Sequence, residues 1–164
     1  MGALLIQVYE DLVPLLSFFA KDVFIDYYDN LIGNQQATYM ADMFLSEEAI
    51  SQEISEDTVF KLMLLDNMPI GFTEYKLDGD RVFISKLYMH KDYRKKGYGE
   101  MMLKDAIAYA KDNKKNKIYL TVNKHNPSYK IYLKWNFKNI ESVVNDIGNG
   151  YVMDDYIMEL DIEE

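Results

Sequence analysis

The chain has 164 residues, of which 49% are hydrophobic, and its 27 acidic and 18 basic side chains give a formal charge of −9. That hydrophobic content sets it apart from disordered chains, and the length suits a single domain, residues 1–164. There is no cysteine, which excludes disulfides, thiolate metal sites and a cysteine nucleophile and suits a reducing cytoplasm.

Ile6 to Tyr9 reads as a short strand. Glu10 and Asp11 interrupt the apolar N-terminal stretch, and the first basic residue is Lys21, so this stretch is neither a signal peptide nor a membrane span. Pro14 is tolerated only in a first helical turn. Leu15, Leu16, Phe19, Val23, Phe24, Tyr27 and Leu31 then recur at helical spacing until Gly33. A second helical region runs through Tyr39, Met40, Met43 and Phe44, restarts at Ser46 as N-cap before Glu47 and Glu48, and continues to about Ile54. Tyr27 and Tyr28, with Asp26 and Asp29 beside them, are either core or one wall of an acceptor site.

Thr58 to Asp66 is rich in strand formers, Asn67-Met68-Pro69 marks a turn, and Ile70 to Leu77 forms the next strand. Asp78-Gly79 is a hairpin signal after which Arg81 to Met89 pairs back. A helix follows from near Tyr98. Met102, Ala106, Ile107 and Ala110 form its buried stripe, with Glu100, Lys104, Asp105 and Lys111 exposed. The lysines from 111 to 117 suit its C-terminus. Lys117 to Val122 alternates as a strand, and Asn126-Pro127 opens a helix running to Trp135. Phe137 to Ile147 and Tyr151 to Ile162 are two long strands joined by Gly148-Asn149-Gly150. Asp154 and Asp155, adjacent in the last strand, point to opposite faces.

Between strand and helix lies a basic loop, Arg94-Lys95-Lys96-Gly97-Tyr98-Gly99. A helix N-terminus presents unpaired N–H groups and the positive end of the peptide dipoles. Glycines at 97 and 99 let the backbone come close to an anion, while Arg94, Lys95 and Lys96 add charge. The chemistry is that of a diphosphate cradle. A P-loop would need G-x-x-x-x-G-K-[ST], which is absent, and a dinucleotide fingerprint would need a third glycine where Met102 stands.

R-x-x-G-x-G in this setting, after Leu87-Tyr88-Met89, resembles the acyl-coenzyme-A binding motif of the GNAT superfamily of N-acetyltransferases, and the likeness runs from about Phe72 to Phe137. It implies an α+β fold, with a mixed, mostly antiparallel sheet of six to seven strands flanked by about four helices. It also implies acetyl-CoA as co-substrate, held by Leu87, Tyr88, Met89 and the loop 94–99, with no metal. The family pattern places an asparagine on the pantetheine arm and a tyrosine five residues before a phenylalanine. Those positions fall on Asn126 and Tyr132. The interval between them is one residue shorter than usual, so His125 and Tyr129 are the alternatives. The glycine usual before the phenylalanine is Asn136.

The reaction so implied is direct attack of a primary amine on the thioester. Holding a lysine-like amine neutral at pH 7 costs about 4.6 kcal/mol, so a proton acceptor is needed; Glu74 is the candidate. N–H groups near Tyr88 and Met89 are candidate oxyanion donors. Residues 1–60 carry a net −10, 61–140 a net +9 and 141–164 a net −8. A basic middle between acidic flanks suits an anionic cofactor beside a cationic acceptor, or serves only solubility. The acidic balance argues against nucleic acid as a partner, and no membrane partner is expected. The acidic pair Asp154 and Asp155 resembles what polyamine-acetylating bacterial members of this superfamily show near their C-terminus. Tyr27, Tyr28 and Asp155 are therefore the acceptor-binding candidates, for a small polyamine-like amine. Protein amines, aminoglycosides, a catalytically silent CoA-binding module and a purely structural interaction domain are the alternatives, and a homodimer is left open.

Overall fold

Seven strands and five α-helices make up the described residues, 2–162, of this computed structural model. Met1, Glu163 and Glu164, which the single-domain reading includes, lie outside them. The strands are β1 (Leu4–Gln7), β2 (Val59–Leu65), β3 (Met68–Asp78), β4 (Arg81–Met89), β5 (Lys117–Asn123), β6 (Lys138–Gly148) and β7 (Tyr151–Asp161). The helices are α1 (Val13–Ile32), α2 (Asn34–Phe44), α3 (Glu47–Ser55), α4 (Tyr98–Asp112) and α5 (Ser128–Lys134). One mixed sheet takes the order β1-β2-β3-β4-β5-β7-β6. Strands β4 and β5 run parallel, over Val82–Ile84 against Ile118–Leu120; a parallel pair needs a crossover, and α4 provides it. The expected α+β architecture is thus present. Its helices number five because the second helical region breaks at Leu45 and restarts at Ser46, whose hydroxyl accepts the N–H of Ala49 at 3.1 Å.

The chain divides into two compact units, one containing the chain up to Lys76 with Lys86–Asp105, the other Leu77–Ser85 with the chain from Ala106 onward. In the first unit, α1 buries Val13, Leu16, Ser17, Ala20, Val23, Phe24 and Tyr28. The expected stripe included Leu15, which is exposed. The inward face includes Ser17 and Ala20 beside Leu16, Val23 and Phe24, and Ser17 Oγ donates to the Leu45 carbonyl at 2.6 Å. The β2–β3 turn is Asp66-Asn67, both left-handed at φ +50° and +65°, rather than the expected Asn67-Met68-Pro69. Pro69 falls inside β3, opposite Leu64, where a register shift accommodates its missing N–H. Asp105, expected exposed, is instead half-buried on α4. It accepts from the Tyr75 hydroxyl and from Lys61 Nζ at 3.4 Å.

In the second unit Ile118, Leu120 and Val122 of β5 alternate inward and Met158 of β7 is fully buried. Two further features fix its strands. Glu159 bridges Arg81 at 3.0 Å and Lys117 at 3.2 Å, and Tyr119 stacks on Phe83 with the Arg81 guanidinium 4.0 Å above its ring. Helix α4 ends as its lysines suggest: Lys115 N–H reaches the Ala110 carbonyl at 2.8 Å with Lys114 left-handed at φ +59°. Helix α5 closes the same way around Asn136 at φ +72°.

Candidate active site

The basic loop ends where α4 begins. Gly97 sits at φ +86°, a conformation that disfavours any side chain, and a Cβ there would meet nothing within 4 Å, so the space beside it is open. Met101 N–H reaches back to the Gly97 carbonyl at 3.3 Å. The amides of Tyr98, Gly99 and Glu100 precede that bond and have no earlier helical carbonyl to meet. Lys95, at φ +63°, tightens the same turn. An open, glycine-lined row of first-turn amides with Lys95 and Lys96 exposed nearby fits a diphosphate.

Arg94, expected to add charge to the cradle, is turned back on the end of β4. Its Nε donates to the Met89 carbonyl at 3.0 Å, its guanidinium lies 4.8 Å from the Tyr27 ring centre, and Nη2 is buried without a partner. Arg94 therefore ties the loop to the end of β4 and keeps one donor in reserve. Met89 itself is buried in a cluster with Met63, Ile70 and Met102, and Leu87 packs on that cluster. His90 N–H bonds the Ile70 carbonyl on β3 at 2.8 Å. Strand alternation then turns the N–H of Met89 to the opposite edge, where its carbonyl already meets Arg94.

Tyr27, Tyr28 and Tyr88 come together. The Tyr28 and Tyr88 hydroxyls share a 2.8 Å hydrogen bond, and their rings lie 5.8 Å apart, with Tyr27 5.1 Å from Tyr28 and 5.7 Å from Tyr88. Phe24 and Phe72 complete the wall, each 5.6 Å from Tyr88. Core and acceptor wall are therefore not exclusive: Tyr28 is buried while Tyr27 and Tyr88 are half-buried.

Glu74 does not face solvent. It is 2% exposed and accepts from Lys86 Nζ at 3.0 Å, with Lys86 8% exposed. The Glu53 carboxyl of α3 meets Glu74 as well. Glu53 and Lys86 escaped the sequence reading, although both carried a signal. Lys86 continues the inward alternation Val82, Ile84, and Glu53 lies three residues after the fully buried Ile50 on α3.

In the second unit, Asn126 is buried and its Oδ1 accepts the N–H of Ser128 at 2.8 Å, capping α5. His125 is exposed, and its N–H donates to Asn123 Oδ1 at 2.9 Å. Tyr132 is half-buried against Trp135 and Phe137, with ring separations of 5.6 and 5.7 Å. The Tyr129 ring lies 5.3 Å from that of Tyr156, tilted by 40°, and its hydroxyl accepts from Asn139 at 3.4 Å. Asp155 is 4% exposed, opposite Asn123 on β5, and its carboxyl is pushed up to about 6 by burial first and by Asp154 second, against the pull of Lys124. Asp154 pairs with Lys124 at 2.8 Å.

The profile of the acetyltransferase (GNAT) family matches residues 20–137. The chain belongs to that family. It is an acetyl-CoA-dependent N-acetyltransferase by class, and the strand, loop and helix just described fall within the matched region. No curated protein matches the sequence significantly. Solved structures resemble its fold closely. The PaiA N-acetyltransferase from Thermoplasma acidophilum, crystallised with coenzyme A, has a TM-score of 0.83 at 21% identity over 98% of this chain and 99% of its own. A GNAT-family acetyltransferase from Streptococcus pneumoniae gives 0.74 at 19% over 98% and 100%. The ribosomal-protein-S18-alanine N-acetyltransferase from Escherichia coli gives 0.70 at 14% over 99% and 96%. Likeness at such identities speaks for the fold. Among the described residues, no helix is long and apolar enough to cross a membrane.

Proposed function

We propose that this GNAT protein acetylates the primary amine of a small cationic acceptor of polyamine type, with acetyl-CoA as donor. The observation that carries the donor half is the junction at Gly97, where a left-handed glycine opens the first-turn amides of α4 to an anion. Support for a cationic acceptor comes from Asp22, Asp26 and Asp29, which line an exposed face of α1 beside Tyr27 and Tyr28, and from buried Asp155. A protein amine is the second reading, favoured by the fold shared with an S18-alanine N-acetyltransferase.

Bound acetyl-CoA would supply an activated thioester; the chain's own groups do the rest. The amides at 98–100, with Lys95 and Lys96, hold the diphosphate. Met89 N–H, on the side of β4 away from β3, is the oxyanion donor. Tyr132 is the proton donor to the departing sulfur. With ordinary values near 10 for tyrosine and 8.5 for a thiol, full transfer is uphill by about 2 kcal/mol, so the hydrogen bond strengthens as charge builds and transfer completes late. Tyr129, whose hydroxyl accepts from Asn139 and whose ring packs against Tyr156, is the alternative donor.

Thiol release from acetyl-CoA, measured against spermidine, spermine, lysine peptides and alanine-terminated peptides, tests the acceptor. Turnover restricted to the peptides would reject the polyamine assignment. Calorimetric titration of Gly97→Glu with coenzyme A tests the donor site: binding should vanish with the fold intact, and retained affinity would remove the assignment of the loop.

A further inference from the structure

We infer that Glu53 is the proton acceptor for the substrate ammonium, and that the buried Glu74–Lys86 pair positions it. This rests on the acetyl-transfer reading and replaces Glu74 as the base. Three carboxylate or ammonium groups converge in the first unit: Glu74 of β3, Lys86 of β4, 3.0 Å from it, and Glu53 near the end of α3. Lys76 of β3 also acts on Glu53 from further off. No N–H or hydroxyl donor reaches Glu53 Oε2, which is sealed from solvent although the residue as a whole is half-buried. Two carboxyls in contact beside one ammonium hold a shared proton. Glu74 keeps the negative charge that Lys86 balances, and Glu53 keeps the proton.

The backbone makes this placement rigid. Thr58 N–H reaches the Glu53 carbonyl at 2.9 Å and Asp57 N–H the Ile54 carbonyl at 3.1 Å, with Asp57 at φ +68°. This closure locks the last turn of α3 at Glu53. The cluster also adjoins the aromatic wall. Phe72 with Tyr88 and Glu74 with Lys86 are successive cross-strand contacts of β3 and β4 on one face, about 7 Å apart at strand spacing.

The chemistry follows from the pairing. Glu74 already meets the Lys86 ammonium and the Glu53 carboxyl. For Glu53, burial first, then its hydrogen bond to Glu74 and that residue's charge, push it up to about 8, against the pull of Lys86 and Lys76. A base is most effective when its affinity for protons matches the working pH. Ionised Glu53 takes a proton from the ammonium through water. The N–H bond breaks, an O–H bond forms on Glu53, and the amine keeps the electron pair with which it attacks the thioester. The proton then leaves to solvent from the exposed side of Glu53.

The test is kcat/KM against pH, with one fixed acceptor, for the wild type, Glu53→Gln and Glu74→Gln. The wild-type profile should rise through an inflection near 8. Glu53→Gln should lose that inflection and fall at least about tenfold at pH 8. Glu74→Gln should shift it downward, because Lys86 then pairs with Glu53. An unchanged inflection in Glu53→Gln overturns the assignment. Infrared difference spectra read the proton without turnover: a protonated carboxyl band should persist at pH 7 in the wild type and disappear in Glu53→Gln. A band that survives the substitution places the proton elsewhere and overturns the assignment too. Coenzyme A titration of the wild type separates the two failures, since lost cofactor binding counts against the acetyl-transfer reading while the infrared result still decides the site of the proton.

Discussion

The main-chain N–H of Phe137 donates to the carbonyl of Tyr132 at 3.0 Å. Asn136 N–H reaches Leu133 at 3.0 Å with Asn136 left-handed, and the Tyr132 and Phe137 rings meet across the turn. This six-to-one closure with its apolar contact ends a helix in a defined way. It explains the spacing of five between tyrosine and phenylalanine: the residues are the two ends of one turn, and the turn aims the tyrosine.

Tyr132→Phe keeps that turn and removes only the hydroxyl. The expected outcome is a fall in kcat of about ten- to a thousandfold, the range for a lost acid or charge-stabilising donor, with coenzyme A affinity unchanged by calorimetry. Tyr129→Phe should stay close to wild type. An unaltered kcat in Tyr132→Phe would transfer the role to Tyr129.

Gly71 and Gly97 separate two reasons for glycine. A Cβ at Gly71 would lie 2.9 Å from the Tyr88 carbonyl oxygen and 2.7 Å from Met89 Cε, whereas at Gly97 it meets nothing but requires φ +86°. Gly71→Ala should therefore destabilise by about 1–3 kcal/mol through overpacking of β3 on β4, read as a lower Tm. Gly97→Ala carries about 1–2 kcal/mol of backbone strain, released by rearranging the loop. Its main effect should be weaker coenzyme A binding with little change in Tm. Equal Tm losses in both would contradict this division.

The loop-to-helix junction and most strands were legible because they rest on local signals: glycine, turn pairs, and alternation of apolar residues. The Ser46 cap formed as its residue type suggests, and the Asp78-Gly79 signal gave a hairpin whose turn is Gly79-Asp80, with Gly79 left-handed at φ +60°. What sequence could not give was the destination of polar groups pointing inward. Arg94 reaches back to Met89, Asp105 meets Tyr75, and Glu74 meets Lys86 and Glu53; each partner lies on another element, and only tertiary pairing selects it. Leu15 shows the same limit for apolar residues: it is exposed on α1, while Leu16, Ala20, Val23 and Phe24 form the buried face.

Asp155 gives stability a pH dependence of known sign. Its folded-state carboxyl is raised to about 6 by burial and by Asp154, above its unfolded value, so the folded chain holds the proton more tightly. The stabilisation is full below about pH 4 and is lost as pH rises through 6. Asp155→Asn should flatten the Tm profile between pH 4 and 7 and leave the variant more stable than wild type at pH 7. A variant whose profile stays parallel to wild type across that window would show that Asp155 is not the group titrating.

Lys86 and Glu74 test whether a buried pair is worth more than its parts. Both are under 10% exposed and 3.0 Å apart. Lys86→Met strands the Glu74 carboxylate among apolar neighbours beside Glu53, which costs about 3–5 kcal/mol when one member of a buried pair is removed. Replacing both by methionine removes the stranded charge and lets Glu53 ionise or hydrate independently, so the double variant should recover most of that loss. Urea unfolding of the wild type, both single variants and the double measures the coupling. Additive losses would mean that the two groups do not sense each other, against their 3.0 Å contact.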